Sequence, residues 1–225
     1  MIKKAFWAGA LLSAIFAAQT VSAASVTQCG PTICYAYDDA QVAVGLYGQP
    51  TLIGDSLRFL PQSFRAQSDD GEGLVSTSAS FYFDNVYSLS GDAVEKIMIS
   101  EFGDYEITNG DRVSDHLTLS AANNDTLVGG TASESELFQA TGGTTGLQRW
   151  GIDNTLDVSS QFLSNDLNLT VTNTLEAETN ALGETAWIQK KLKITAVTAV
   201  PLPAGAWLMI SAFGVLGGWA RRNKA

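Results

Sequence analysis

Leu167-Asn168-Leu169-Thr170-Val171-Thr172 decides the fold class. Leu167, Leu169 and Val171 fall on one side of an extended chain and the polar residues on the other, the period of two that marks a half-buried strand. The pattern returns near the end of the same region. Ile188, Leu192, Ile194 and Ala196 share one face, while Gln189, Lys191, Lys193 and Thr195 share the opposite one.

Moving outward, short segments of similar character run at 35–47, 56–60, 63–66, 74–87, 94–102, 105–108, 113–121, 126–129 and 147–152. Turn-rich pieces separate them, among them Gln49-Pro50, Ser68-Asp69-Asp70-Gly71, Ser90-Gly91-Asp92, Asn109-Gly110-Asp111 and Gly142-Gly143. Only Ser133-Glu134-Ser135-Glu136-Leu137-Phe138 hints at a helix, through its Ser-x-x-Glu pattern. Many short strands with little helix between them predict an all-β fold, an antiparallel β-sandwich of jelly-roll type. No repeat of fixed period points to a propeller or solenoid.

The two ends read differently. Met1-Ile2-Lys3-Lys4, the apolar stretch 5–18 and the small residues of Val21-Ser22-Ala23 form a signal peptide, 1–23, with cleavage expected after Ala23. At the other end stand Val200-Pro201-Leu202-Pro203-Ala204, an apolar run to Ala220, and Arg221-Arg222-Asn223-Lys224. The 17 residues 204–220 carry no ionisable side chain and are just long enough to cross ~30 Å of hydrocarbon as a helix. The cations Arg221, Arg222 and Lys224 would stay in the cytoplasm and put the domain 24–199 on the outer side.

This order of proline motif, apolar segment and basic stop resembles the VPLPA-CTERM variant of the PEP-CTERM protein-sorting signals of Gram-negative bacteria. The resemblance covers residues 200–225 and rests on Val200, Pro201, Leu202, Pro203 and Ala204 together with the apolar run and the terminal cations. It implies an exosortase-type processing enzyme as partner in the inner membrane, cleavage near the prolines, and delivery to the cell surface or the extracellular space. The plainer alternative is a membrane anchor behind a proline-stiffened linker.

Five of the 13 Lys+Arg lie in the terminal segments, which leaves eight against all 23 Asp+Glu, a net charge of −15 for 24–199. Such a surface excludes nucleic acid as a partner, because phosphates demand a basic footprint. It also disfavours extracellular anionic polysaccharide unless divalent cations form a bridge.

Cys29 and Cys34, the only cysteines, close a short loop around Gly30-Pro31 and read as a disulfide in an oxidising compartment, with free thiols as the alternative. A redox motif wants tighter spacing, and a zinc site wants more soft ligands than one histidine supplies. That histidine, His116, sits opposite Leu117 and Leu119 on the polar face of a strand. No Gly-x-Ser-x-Gly elbow, Walker loop, dinucleotide fingerprint or His-x-x-x-His pair is present, so the expectation is a protein that is not an enzyme and carries no cofactor. Calcium is the one exception considered. Asp38-Asp39, Asn123-Asn124-Asp125 and above all Asp69, Asp70 and Glu72 offer hard oxygen donors in turns.

Two functions emerge: a non-enzymatic surface or matrix protein, and a carbohydrate-binding module or adhesin on the same scaffold. The second would use an exposed aromatic strip drawn from Tyr35, Tyr37, Tyr47, Phe81, Tyr82, Phe83 and Tyr87, with Phe81 and Phe83 the members best suited to the core instead.

Overall fold

A computed structural model describes residues 24–125 and 127–198. The segment 1–23, the Val200–Ala204 motif, the apolar run 204–220 and the basic residues after it lie outside these residues. No helix among the described residues is long and apolar enough to cross a membrane.

The chain forms two antiparallel sheets. The strands are β1 (Ser25–Cys29), β2 (Ile33–Asp38), β3 (Thr51–Ile53), β4 (Ser56–Phe59), β5 (Arg65–Asp69), β6 (Gly73–Ser88), β7 (Val94–Thr108), β8 (Arg112–Asn123), β9 (Thr131–Thr141), β10 (Gln148–Asp157), β11 (Asp166–Thr179) and β12 (Thr185–Thr198). The first sheet runs β1-β2-β6-β11-β8-β9 and the second β10-β7-β12-β4-β3. β5 joins the second sheet on the same side of β12 as β4, pairing Thr185–Gln189 while β4 pairs Leu192–Thr195. From β6 onward the chain changes sheet at almost every step, and only β8 and β9 remain neighbours. The result is a β-sandwich.

β11 shows why. Leu167, Leu169, Val171, Leu175 and Ala177 all point inward and are fully buried. They meet Ile97 and Ile99 of β7, Leu57 and Phe59 of β4, and Ile188, Leu192 and Ile194 of β12 in one core. Each such side chain withdrawn from water contributes roughly 1.5–3 kcal/mol. Tyr47, Phe59 and Phe81 stack edge to face at 5.0–5.8 Å, tying β6 to β4 across the interior. The Tyr35 hydroxyl adds a polar tie, donating to the Asp55 carbonyl at 2.6 Å and accepting from the Ala196 amide at 2.9 Å. Burial pushes its pKa up.

Four expectations change. The stretch 35–47 is a strand only to Asp38; a short helix, α1 (Ala40–Val44), comes next, with Asp38 Oδ1 accepting the Ala40 amide at 2.8 Å. Ser133–Phe138 is no helix but the middle of β9, because its partner β8 satisfies the backbone along its whole length. No strand forms at 127–129 of the expected 126–129, which lie in the loop between β8 and β9 with Leu127 and Val128 exposed in a turn. The two segments 94–102 and 105–108 are one strand. Gly103, between those two segments, lies inside β7 opposite Lys190, where a Cβ would collide with the Gln189 carbonyl oxygen.

Candidate functional site

Three charged residues occupy inward positions of the sandwich. Glu101 follows Ile97 and Ile99 along β7, Asp115 lies between Val113 and Leu117 on β8, and Lys190 lies between Ile188 and Leu192 on β12. None exposes more than 2 % of its surface. Lys190 Nζ donates to Glu101 Oε1 at 2.8 Å and stands 3.5 Å from Asp115 Oδ1, with the Phe64 ring 5.3 Å away. Asn173 Nδ2, inward on β11, donates to the same Glu101 oxygen at 2.7 Å. The Tyr47 hydroxyl in turn donates to Asn173 Oδ1 at 2.8 Å.

One cation thus faces two carboxyls in a dry interior. Glu101 Oε2 and both oxygens of Asp115 receive no hydrogen bond from any described donor. Two buried carboxylates cannot both hold a charge so close together. Burial raises the Asp115 pKa to about 9; hydrogen bonding and charge repulsion with Glu101 act the same way, against the pull of Lys190. A proton on Asp115 makes it a donor to Glu101, whose Oε1 already accepts from Lys190 and Asn173. Burial also holds the Tyr47 hydroxyl far above its ordinary range, helped by the charges of Glu101 and Asp115.

The outer face of the second sheet is the other distinctive place. Arg58 on β4 stands directly opposite Lys193 on β12, and Lys191, two residues along, stands opposite Phe102 of β7. Like charges paired across strands destabilise a sheet. No carboxylate lies within ion-pair distance of these three cations among the described residues. A cleft of about 290 Å³ opens here, lined by Ile53, Ser56, Arg58, Phe102 and Lys193. Phe102, 37 % exposed, also borders a second cleft of about 280 Å³ with Arg149 and Lys191.

The residues singled out from sequence lie elsewhere. Tyr35, Tyr37, Tyr47, Phe81 and Phe83 are core and form no sugar-binding strip; of that set Tyr82, at 40 %, is the exposed one. Tyr35 and Tyr37 share the inward face of β2, and Phe81 and Phe83 that of β6, so with Tyr47 they fill the space between the sheets. Cys29 and Cys34 are joined in a disulfide across the β1–β2 hairpin, with Cα atoms 4.0 Å apart. Asp55 Oδ1 clamps the hairpin loop by accepting the amides of Thr32 and Ile33 at 2.8 and 3.1 Å. Asp69, Asp70 and Glu72 sit at the tight turn between β5 and β6, each accepting a hydrogen bond: from Gln67 Nε2, the Gly183 amide and the Asp69 amide. No group of three His, Cys, Asp or Glu is arranged to hold a metal ion among the described residues. His116 is exposed on β8.

Glu101, Asp115, Lys190 and Asn173 belong to no sequence motif, yet each carries a readable signal. All four interrupt an inward apolar row, as Asn173 does between Val171 and Leu175. A charge at a core position of a strand is rarely tolerated without a partner.

No protein-family model and no curated protein sequence matches the chain. Among solved structures it is similar to the carbohydrate-binding module TmCBM61 in complex with beta-1,4-galactotriose, at 6% identity, over 79% of this chain and 90% of that one, with a TM-score of 0.28. A structure of infectious bursal disease virus, Gx strain, is similar at 10% identity over 76% of this chain and 42% of that one, with a TM-score of 0.32. Likenesses this faint carry no argument about ligand or role.

Proposed function

We propose that the protein is a non-enzymatic cell-surface or matrix protein, exported through its N-terminal signal peptide and sorted by an exosortase-type enzyme acting at Val200–Ala204. In this reading residues 204–220 span the inner membrane until the tail is removed. The observation that carries the reading is the disulfide between the only two cysteines of the chain, a bond that persists in oxidising compartments and is rare in the cytosol. A packed interior and a strongly acidic surface suit a soluble module outside the cell. The test lies in the prolines, whose fixed φ would in this reading keep the motif extended and outside the membrane segment. Replacing Pro201 and Pro203 by Ala should leave insertion intact and block release from the inner membrane of the native host. Equal release of wild type and double variant would reduce the tail to an anchor.

A second reading is favoured by the unpaired Arg58, Lys191 and Lys193 beside Phe102. A saccharide bearing a carboxylate would place its charge between Arg58 and Lys193 and lay an apolar ring face on Phe102. The local cluster would then override the acidic balance of the chain, since screening confines surface charges to roughly 8–10 Å.

A further inference from the structure

We propose that Lys190 and Asp115 condense into an intramolecular amide that joins the two sheets covalently, with Glu101 as the proton carrier.

The three groups needed for amide formation are together and buried from solvent. Lys190 Nζ is the nucleophile, and it stands 3.5 Å from a carboxyl oxygen of Asp115. Glu101 Oε1, 2.8 Å from the same nitrogen, is the base that can take the ammonium proton. Asp115, rather than Glu101, is the electrophile. Glu101 is committed to Lys190 and Asn173 as an ionised acceptor, and a carboxylate resists attack. Asp115 accepts no hydrogen bond from any described donor, and as the neutral acid it presents an open carbonyl carbon. Asn173, held by the Tyr47 hydroxyl, fixes the direction in which Glu101 points.

The reaction balances without a co-reactant. Lys190 gives one proton to Glu101 and becomes a free amine. Its nitrogen lone pair forms a bond to Asp115 Cγ, giving a tetrahedral centre with two oxygens. Glu101 returns a proton to one of those oxygens while taking one from the nitrogen, the C–O bond breaks, and water departs. The products are an amide, one water and a neutral Glu101, so an ammonium, a carboxylate and a carboxylic acid have become three uncharged species. Holding the reactants in place supplies an effective concentration of roughly 10⁵–10⁸ M, which stands in for chemical activation. The gain is largest in a dry interior, where an incompletely paired set of charges is costly. The amide would connect β8 in one sheet to β12 in the other, a link the backbone hydrogen bonds of neither sheet provide.

The test is peptide mapping of the purified full chain, reduced and alkylated before digestion. The expected product is a branched peptide containing both Lys190 and Asp115, lighter by one water than its two arms, with no cleavage by trypsin after Lys190. Glu101→Gln should yield the two linear peptides instead. Lys190→Met, which keeps an apolar stem of similar length, serves as the folded, unlinked control, its fold checked by circular dichroism. Linear, unmodified Lys190 and Asp115 peptides from the wild type would overturn the proposal. So would a branch to Asn173 with loss of ammonia, and a Glu101→Gln chain that still links would remove Glu101 as proton carrier.

Discussion

Asp115 concentrates the chemistry of the interior at a single residue. Groups face it from two other strands: Glu101 from β7 and Lys190 from β12, with the Tyr47 hydroxyl beyond Asn173. In the unlinked chain its pKa rises from the ordinary carboxylate range of the unfolded state to about 9 in the fold. Between those values the native state holds a proton that the unfolded state has lost, so stability falls as pH rises, by about 1.4 kcal/mol per pH unit. In Lys190→Met the opposing cation is gone and the window reaches at least as high. Urea unfolding of Lys190→Met at several pH values from 5 to 9 should therefore show a midpoint that falls as pH rises; a level midpoint would contradict this assignment of the proton.

At the scale of the strand, β7 serves two surfaces at once. Its inward residues bring Glu101 to the buried cluster, and its outward residues bring Phe102 to the clefts beside Arg58 and Lys191. If an acidic saccharide binds there, Phe102→Ala should weaken binding of a polyuronate by about 1–2 kcal/mol, roughly tenfold in Kd, while Arg58→Gln should reduce its salt dependence. Calorimetry with a neutral glycan as control checks this. Unchanged affinity in both variants would close the second reading.

The strands themselves were largely legible. Leu167, Leu169 and Val171 declare β11 because alternation is a local property, and the same holds for β6, β8 and β12. Where local signals misled, tertiary contacts decided. Gly103 suggests a break, yet it fills a place where the β7 and β12 backbones and the Trp150 indole leave no room for a Cβ. Ser133 and Glu136 fit a helix cap, yet eleven residues of β9 pair with β8. The cluster of Glu101, Asp115 and Lys190 was hidden for another reason. Each is one charge in a separate apolar row, and only the packing of two sheets brings the three together.

For the whole molecule, the order of the chain matters. β12 lies inside its sheet between β7 and the β4–β5 side, and its last residue, Thr198, is two positions from Val200. A pull on the tail would therefore load an interior strand. The proposed amide at Lys190 would pass that load to β8 in the other sheet, as the Cys29–Cys34 bond secures the hairpin at the opposite end of the chain. The most direct measurement is the intact mass of the protein recovered from the surface of its native host. The account predicts a chain that begins at Ala24, ends at Pro203 or Ala204, and is lighter by one water after reduction. A mass retaining Met1 or Arg222 would contradict export and sorting through the tail.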